Sequence, residues 1–353
     1  MGGHAPRRSV GIKDVAKAAG VSTTTVSHAL NDKGRLPPET RERVRRIAEE
    51  LGYRPSAIAR GLVSGKTGVL GLAVSVPGEV EDTFANIGYF SRLINGATAA
   101  ATSRGHALVV VPARGEEAWE RLPVDGALVV DPVPDDPHPA ALRSHGVPYV
   151  TVGREPGRED GWWVDNDFRS AVRMVLEHLV DAGATRPGLV TWEWHDSFTD
   201  DVDAAYRAWC AEAGLPPAIA RVSYVQPEAR TQVISALFDA SPPPDAVFVA
   251  YERLLPELLR VTTDLGITIP DRLRVATSAD TGIASTLEPA VTTLDLDPNR
   301  LGSEAITLLL ERVAAPDAPA QHRIVDTHLF PRASTIGGDI RLRGGVAPTQ
   351  ASP

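Results

Sequence analysis

The sequence predicts an α/β protein with a small helical head: three short helices and a linker, then two parallel sheets wrapped by helices. Three observations predict it. Residues 1–66 hold 13 Lys+Arg against 6 Asp+Glu, or +7, in a chain whose net charge is −9, so the remainder carries −16. Apolar residues in that head recur at helical spacing. From Val69 onward, short apolar runs alternate with amphipathic helical segments, the pattern of strands and crossover helices in parallel sheets.

Taken in order, Ile12, Val15, Ala16 and Ala19 fall on one helical face of IKDVAKAA, and Gly20 stops that helix. Ser22 is a good N-cap for a second helix ending near Leu30. Asn31 to Leu36 reads as a loop. PETRERVRRIAEELG then predicts a third helix, with Pro38 near its first position, Glu39 in its first turn and Gly52 as C-cap. Ala16, Gly20 and Val26 stand at helix-turn-helix spacing, with a small residue where the helices approach and a glycine in the turn. Tyr53–Gly68 holds one candidate helix of about two turns, too short to be stable alone and weakened by Gly61. Strands are expected in GVLGLAVSV, ALVVV, GALVVD, YVTVG, GLVTW, AVFVA and LRVATS. Helices are expected in SRLINGATAAATSRG and RSAVRMVLEHLVDAG. The tail RLRGGVAPTQASP has no heptad pattern and reads as disordered.

The bulk numbers narrow the function classes. With 353 residues, 43% hydrophobic and 23% charged, the chain is globular and long enough for two or three domains. No run approaches the ~18 apolar residues of a membrane span, and the first ten residues lack the apolar core of a signal peptide. Cys210 is the only cysteine, which excludes an intrachain disulfide and cysteine-built metal sites and fits a reducing cytoplasm. There is no GxSxG elbow, no phosphate loop and no HExxH; SGKTG at Ser64–Gly68 lacks the upstream glycine and precedes its strand. The expectation is a cytoplasmic protein that is not an enzyme, with no cofactor and no membrane partner.

VSTTTVSHAL, Val21 to Leu30, carries the functional signal. Threonine is a mediocre helix former, yet three stand in a row on the outer face while Val21, Val26, Ala29 and Leu30 supply the inner one. A helix lying in the DNA major groove needs such short polar groups: hydroxyls reach phosphates or base edges, and a threonine methyl can touch the thymine methyl. Thr23, Thr24, Thr25, Ser27 and His28 therefore read as a docking surface for a polyanion partner of the basic head.

GIKDVAKAAGVSTTTVSHALN…ETRERVRRIAEELGYRPSAIARGL resembles the DNA-binding head and hinge of the LacI/GalR family of bacterial repressors, and STTTVSH and PSAIARGL resemble its purine-repressor branch most. The resemblance continues through LINGA, VDGALVV, GVPYVTVGR, VDND, HLVDAG, LGITIP, PAVTTLDLDPNRLGSEA and FPRAST, covering about residues 10–337. It implies a helix-turn-helix domain at 10–54 and a hinge at 55–66. An effector-binding and dimerisation domain follows at 67–337, built like periplasmic binding proteins from 67–164 with 294–322 and from 165–293 with 323–337; 338–353 is the tail. It implies base readout by Thr23, Thr24 and His28, and backbone contacts by Ser22, Thr25 and Ser27. Ser56, Ala59 and Arg60 fall in the hinge, and Leu62 falls where the family wedges a leucine into the minor groove. Gly11 and Pro37 depart from the family's usual helix caps. The function implied is a homodimeric repressor of a near-palindromic operator, modulated by a small molecule in the cleft between the subdomains. The alternative is a DNA-binding regulator whose body answers to a protein partner or to no ligand.

The pocket departs from the family. Tyr89 and Phe90 match its ring-stacking aromatics, but Asp196 and Val202 fall where purine binders have arginines, and Phe198 where they have threonine. The usual pocket aspartate falls on Ala279, with Asp280 next to it. A purine effector is disfavoured and a sugar weakened. Trp192, Trp194, His195, Asp196, Asp200, Asp201 and Asp203 form a dense cluster with three readings: a pocket wall for a cationic or aromatic ligand, a metal site from His195, Asp196 and Asp200, or a solvated acidic loop over locally packed tryptophans. The effector contacts expected are Tyr89, Phe90, Trp192, Trp194, Asp196, Phe198 and Asp280.

Overall fold

A computed structural model describes residues 10–30, 34–53, 66–75, 88–112, 114–158, 160–278 and 282–336. It divides into two compact units, Met1–Gly68 and Val69–Pro353.

The first unit contains α1 (Ile12–Ala19), α2 (Thr23–Leu30) and α3 (Pro38–Glu50). Val15, Ala16, Ala19, Val26, Ala29, Val44 and Ala48 form its buried core, with Val10, Ile12, Val21, Leu30, Leu36, Ile47 and Tyr53 packed around it. The inner faces are those the apolar spacing predicts. Gly11 offers no side-chain cap to α1, but the Asp14 carboxylate accepts from the Gly11 N–H at 2.8 Å, so one of the orphan donors is satisfied. Pro37 likewise provides no side-chain cap for α3. Leu51, not Gly52, is the C-cap of α3. Gly52 follows at φ 64, and the Tyr53 and Gly52 N–H groups close back on Ala48 O at 2.8 Å and Glu49 O at 2.9 Å. This double closure ends the helix cleanly.

The second unit runs β1 (Val69–Val74), α4 (Gly88–Ser103), β2 (Ala107–Val111), α5 (Ala118–Arg121), β3 (Gly126–Val130), α6 (Pro137–Ser144), β4 (Tyr149–Val152) and β5 (Trp163–Asn166). It continues with α7 (Phe168–Asp181), β6 (Pro187–Trp192), α8 (Ser197–Ala213), β7 (Ile219–Val222), α9 (Arg230–Ser235), β8 (Ala246–Val249), α10 (Leu255–Asp264), β9 (Arg274–Ser278), α11 (Ile283–Thr286) and β10 (Thr292–Asp295). It closes with α12 (Pro298–Ala314), β11 (His322–Val325) and β12 (His328–Phe330). Two six-stranded sheets result, ordered β11-β5-β4-β3-β1-β2 and β12-β10-β9-β8-β6-β7. All pairings are parallel except β10 with β12. The central strands β3, β4 and β8 are buried throughout, as sheets covered on both faces require.

The chain crosses between the sheets after Asn166, after Asp295 and after Val325. The sequence reading put residues 323–325 in the second subdomain; they instead extend the first sheet, because β11 pairs with β5 from His322↔Trp163 to Val325↔Asn166. It also put 294–295 with the first subdomain, whereas β10 pairs with β9. One side chain ties the three crossings together. Asn166, 3% exposed, donates from Nδ2 to Leu296 O at 3.2 Å and to Val325 O at 2.8 Å.

Candidate functional site

In the first unit, the Ser22 Oγ accepts from the Thr25 N–H at 3.0 Å and lies 2.8 Å from the Thr25 hydroxyl, so both side chains complete the N-terminal cap of α2. With Val26 and Ala29 turned inward, Thr23 and Thr24 stand exposed, and Thr25, Ser27 and His28 are half-buried. The loop before α3 passes close to the His28 ring. Gly34 takes φ 71, and a Cβ built there would stand 2.7 Å from His28 Nδ1, so only glycine meets both the backbone and the space requirement. Arg41 donates to Gly34 O at 3.4 Å from α3. Ser56, Ala59, Arg60 and Leu62 lie outside the described residues, as does Asp280.

In the second unit, side chains gather at the carboxyl ends of parallel strands, where open α/β sheets form their crevices. Asp131 follows β3 at φ 50, Arg154 follows β4, and Asp165 lies near the end of β5. Asp196 follows β6 and Tyr251 follows β8. Tyr89, in the first turn of α4, packs against the apolar clusters of both subdomains and meets Phe90 edge to face at 5.3 Å. Arg154 joins the subdomains. Its guanidinium takes the Asp201 carboxylate in two hydrogen bonds of 2.6 and 2.7 Å, its backbone N–H donates to Ser197 Oγ at 2.9 Å, and its other terminus stands 3.7 Å from Asp165.

Asp196 caps α8, accepting from the Thr199 N–H at 2.6 Å, and its second oxygen accepts from Trp194 Nε1 at 3.1 Å and from the Tyr251 hydroxyl at 3.4 Å. Phe198 stands edge-on to Phe168 and Tyr251, each at 4.8 Å. The electrostatics follow from this crowding. Burial pushes the Asp165 carboxyl up to about 7; the Asn166 N–H and Arg154 oppose that shift, while Asp201 and Asp196 add to it. Burial, then Asp196 and Asp165, hold the Asp131 carboxyl well above the usual carboxylate range. Asp196 is raised mainly by burial, against its bonds from Thr199 and Trp194. The Tyr89 hydroxyl is raised by burial and then by Asp131, Asp165 and Asp196.

The acidic loop divides. Asp196 and Asp201 face the crevice, whereas His195 pairs with Asp200 at 2.9 Å on the surface and Asp203 is held by Arg207 at 2.7 Å and by Arg221. His195, Asp196 and Asp200 therefore do not converge, and no group of three metal-ligating side chains occurs among the described residues. Trp192 is a correction. At 2% exposure it belongs to the core, stacked behind Trp194 at 5.5 Å and under the Arg230 guanidinium at 5.0 Å, so its ring packs inside the subdomain. The crevice also gathers Asp131, Arg154, Asp165 and Tyr251, which the sequence reading does not pick out. Their signal was present: each is a polar or charged residue at or just past the end of an apolar strand run, in GALVVD, YVTVGR, WVDN and VFVAY.

Comparison with known proteins comes down on one side. The profile of bacterial regulatory proteins of the lacI family matches residues 11–56, and that of the periplasmic binding protein-like domain matches residues 176–335. The HTH-type transcriptional regulator CelR of Thermobifida fusca is 30% identical over 341 residues, covering 93% of this chain and 99% of that one. The HTH-type transcriptional repressor PurR of Vibrio campbellii (strain ATCC BAA-1116) is 27% identical over 313 residues, covering 86% and 91%. Among solved structures, the CelR–cellobiose complex aligns with a TM-score of 0.67 at 28% identity, covering 92% of this chain and 99% of that one. The lac repressor dimer bound to operator and the anti-inducer ONPF aligns at 0.76, with 22% identity and coverage of 94% and 100%, a likeness of fold.

Proposed function

This chain belongs to the LacI family of bacterial transcription regulators, and from that premise we propose that it acts in the cytoplasm as a homodimeric repressor of a near-palindromic operator, answering to a small molecule in the cleft of its second unit. Thr23, Thr24 and His28 read bases, Ser22, Thr25 and Ser27 meet the phosphate backbone, and Leu62, with Ser56, Ala59 and Arg60 in the hinge, wedges open the central step. The observation that carries the reading is the outer face of α2. A helix whose inner face is closed by Val26 and Ala29 presents Thr23 and Thr24 to solvent beside the His28 imidazole. That surface has no packing role in the head. The complex of the CelR relative with cellobiose supports a small-molecule effector, and the crowded polar crevice favours it over a body without a ligand.

Selection of sites from random duplex DNA with the full chain tests the proposal. The expected result is a near-palindromic consensus that His28→Ala relaxes at one position per half-site, with about a tenfold loss of affinity for the best site. Absence of any enriched site at moderate salt would overturn it.

A further inference from the structure

The free valences of the crevice point to the chemistry of its ligand. Asp165 is 4% exposed, and its Oδ2 accepts no hydrogen bond. The nearest cation among the described residues, Arg154 at 3.7 Å, is already clamped by Asp201. Asp131, set by a left-handed backbone at the end of β3, has no hydrogen-bond or ion-pair partner for its carboxylate among the described residues. Among the described residues, Trp194 Nε1 and the Tyr251 hydroxyl donate to Asp196, the Thr199 N–H donates to Asp196 and its hydroxyl pairs with Tyr251, while the Ser197 Oγ accepts from the Arg154 N–H. What remains open is mainly acceptor capacity on Asp131 and Asp165, beside the hydroxyls of Tyr89 and Ser197, with the Tyr89–Phe90 and Phe168–Phe198–Tyr251 rings around them.

A neutral polyol needs donors as well as acceptors, since each of its hydroxyls is both. An ammonium group has three donors and no acceptor, brings positive charge to Asp131 and to Asp165, whose Arg154 partner is shared with Asp201, and is attracted to aromatic faces. A bare metal ion is poorly served, because no three ligating side chains meet among the described residues. Resting on the proposed role of this cleft as the effector site, we propose that its ligand is an organic ammonium ion, held by Asp131 and Asp165 at the strand ends, with its carbon framework against Tyr89, Phe198 and Tyr251. The raised carboxyls of Asp131 and Asp165 agree with this, since a bound cation would favour their charged forms and their protons would pass to solvent.

The test is titration calorimetry on the full chain at pH 7.5 with matched probes: glucosamine against glucose, cyclohexylamine against cyclohexanol, and benzylamine against benzyl alcohol, with cellobiose as a further neutral probe. The ammonium member of at least one pair is expected to bind tenfold or more tightly than its neutral partner and than cellobiose. Asp131→Asn and, separately, Asp165→Asn are expected to abolish that preference, with thermal melts certifying that each variant is folded. Equal or tighter binding of the neutral probes, or no ammonium preference in any pair, would overturn the inference. So would a preference that survives in both folded variants. Operator binding on the same samples separates the two readings: its absence defeats the proposed function, whereas operator binding with a neutral-preferring cleft defeats this inference alone.

Discussion

In the first unit a few buried side chains, from Val15 to Ala48, hold up a surface of hydroxyls and one imidazole, all within eight consecutive residues. In the second, larger apolar clusters enclose a crevice lined by buried carboxylates and tyrosines drawn from Tyr89 to Tyr251. The two arrangements strain stability in different places. The head keeps its polar groups in water and risks only its small core. The body holds carboxylates where burial disfavours their charge, and must meet that cost from its packing.

The largest expected effect breaks the head alone. Val44 is fully buried between α1 and α2 on the inner face of α3. Val44→Asp places an unpaired charge in a core too small to absorb it, a penalty of several kcal/mol at roughly the scale of a small domain's whole stability. Operator affinity should fall at least a hundredfold in a binding titration, while the melting transition of the body stays put. A body transition that moved with the head's would mean the two units do not fold separately.

The next effect has the opposite sign. Asp165 ionises in the unfolded chain near the ordinary carboxylate value but near 7 in the folded one. Below both values the two states hold the proton alike and nothing is lost. As pH rises between them, the unfolded state sheds its proton first and folding is progressively penalised; above 7 the penalty is complete. Asp165→Asn removes the ionisation and keeps an oxygen for the Asn166 N–H. It should therefore stabilise the body, by an upper bound of roughly 4 kcal/mol above pH 7, less at pH 5. Thermal melts at pH 5 and 8 read this directly. A destabilised variant at pH 8 would mean the carboxylate is adequately paired in the folded protein.

The same contrast explains what could be read from the sequence. The head was legible almost to the residue, because its elements are local: apolar spacing, Ser22 as a cap and Gly20 in a turn all act within one or two helical turns. The long buried strands of the body were legible as apolar runs. β5, β7, β10, β11 and β12 were not, because polar residues interrupt or end their short runs, in WVDN, IARV, TTLD, HRIV and HLF. In β5 that polarity is the site itself, so the feature that hid the strand is the one that makes it useful. The crevice was legible only in part. Tyr89, Asp196 and Phe198 stood out by type, but that Asp131 and Asp165 come close together is a fact of strand order, which places β3, β4 and β5 side by side. Trp192 misled for the converse reason: its neighbours in sequence line the crevice, but strand alternation turns it into the core.

The smallest expected effect sharpens the division within the acidic loop. His195 and Asp200 form a 2.9 Å pair with side chains 79% and 56% exposed, one residue away from Asp196, which is 5% exposed. A pair in water is screened and spends side-chain entropy to hold its geometry, so its net worth is small. His195→Ala should shift body stability by no more than about 0.5 kcal/mol and leave the binding of every ammonium and neutral probe unchanged. Asp196→Asn is the contrasting change, because that carboxylate serves the N-terminus of α8, the Trp194 ring and the Tyr251 hydroxyl at once. If His195→Ala altered probe affinity as much as a crevice substitution does, the boundary between surface acids and crevice acids would lie one residue earlier than the hydrogen bonds of Asp196 place it. Asp200 would then have to be counted among the groups that face the ligand.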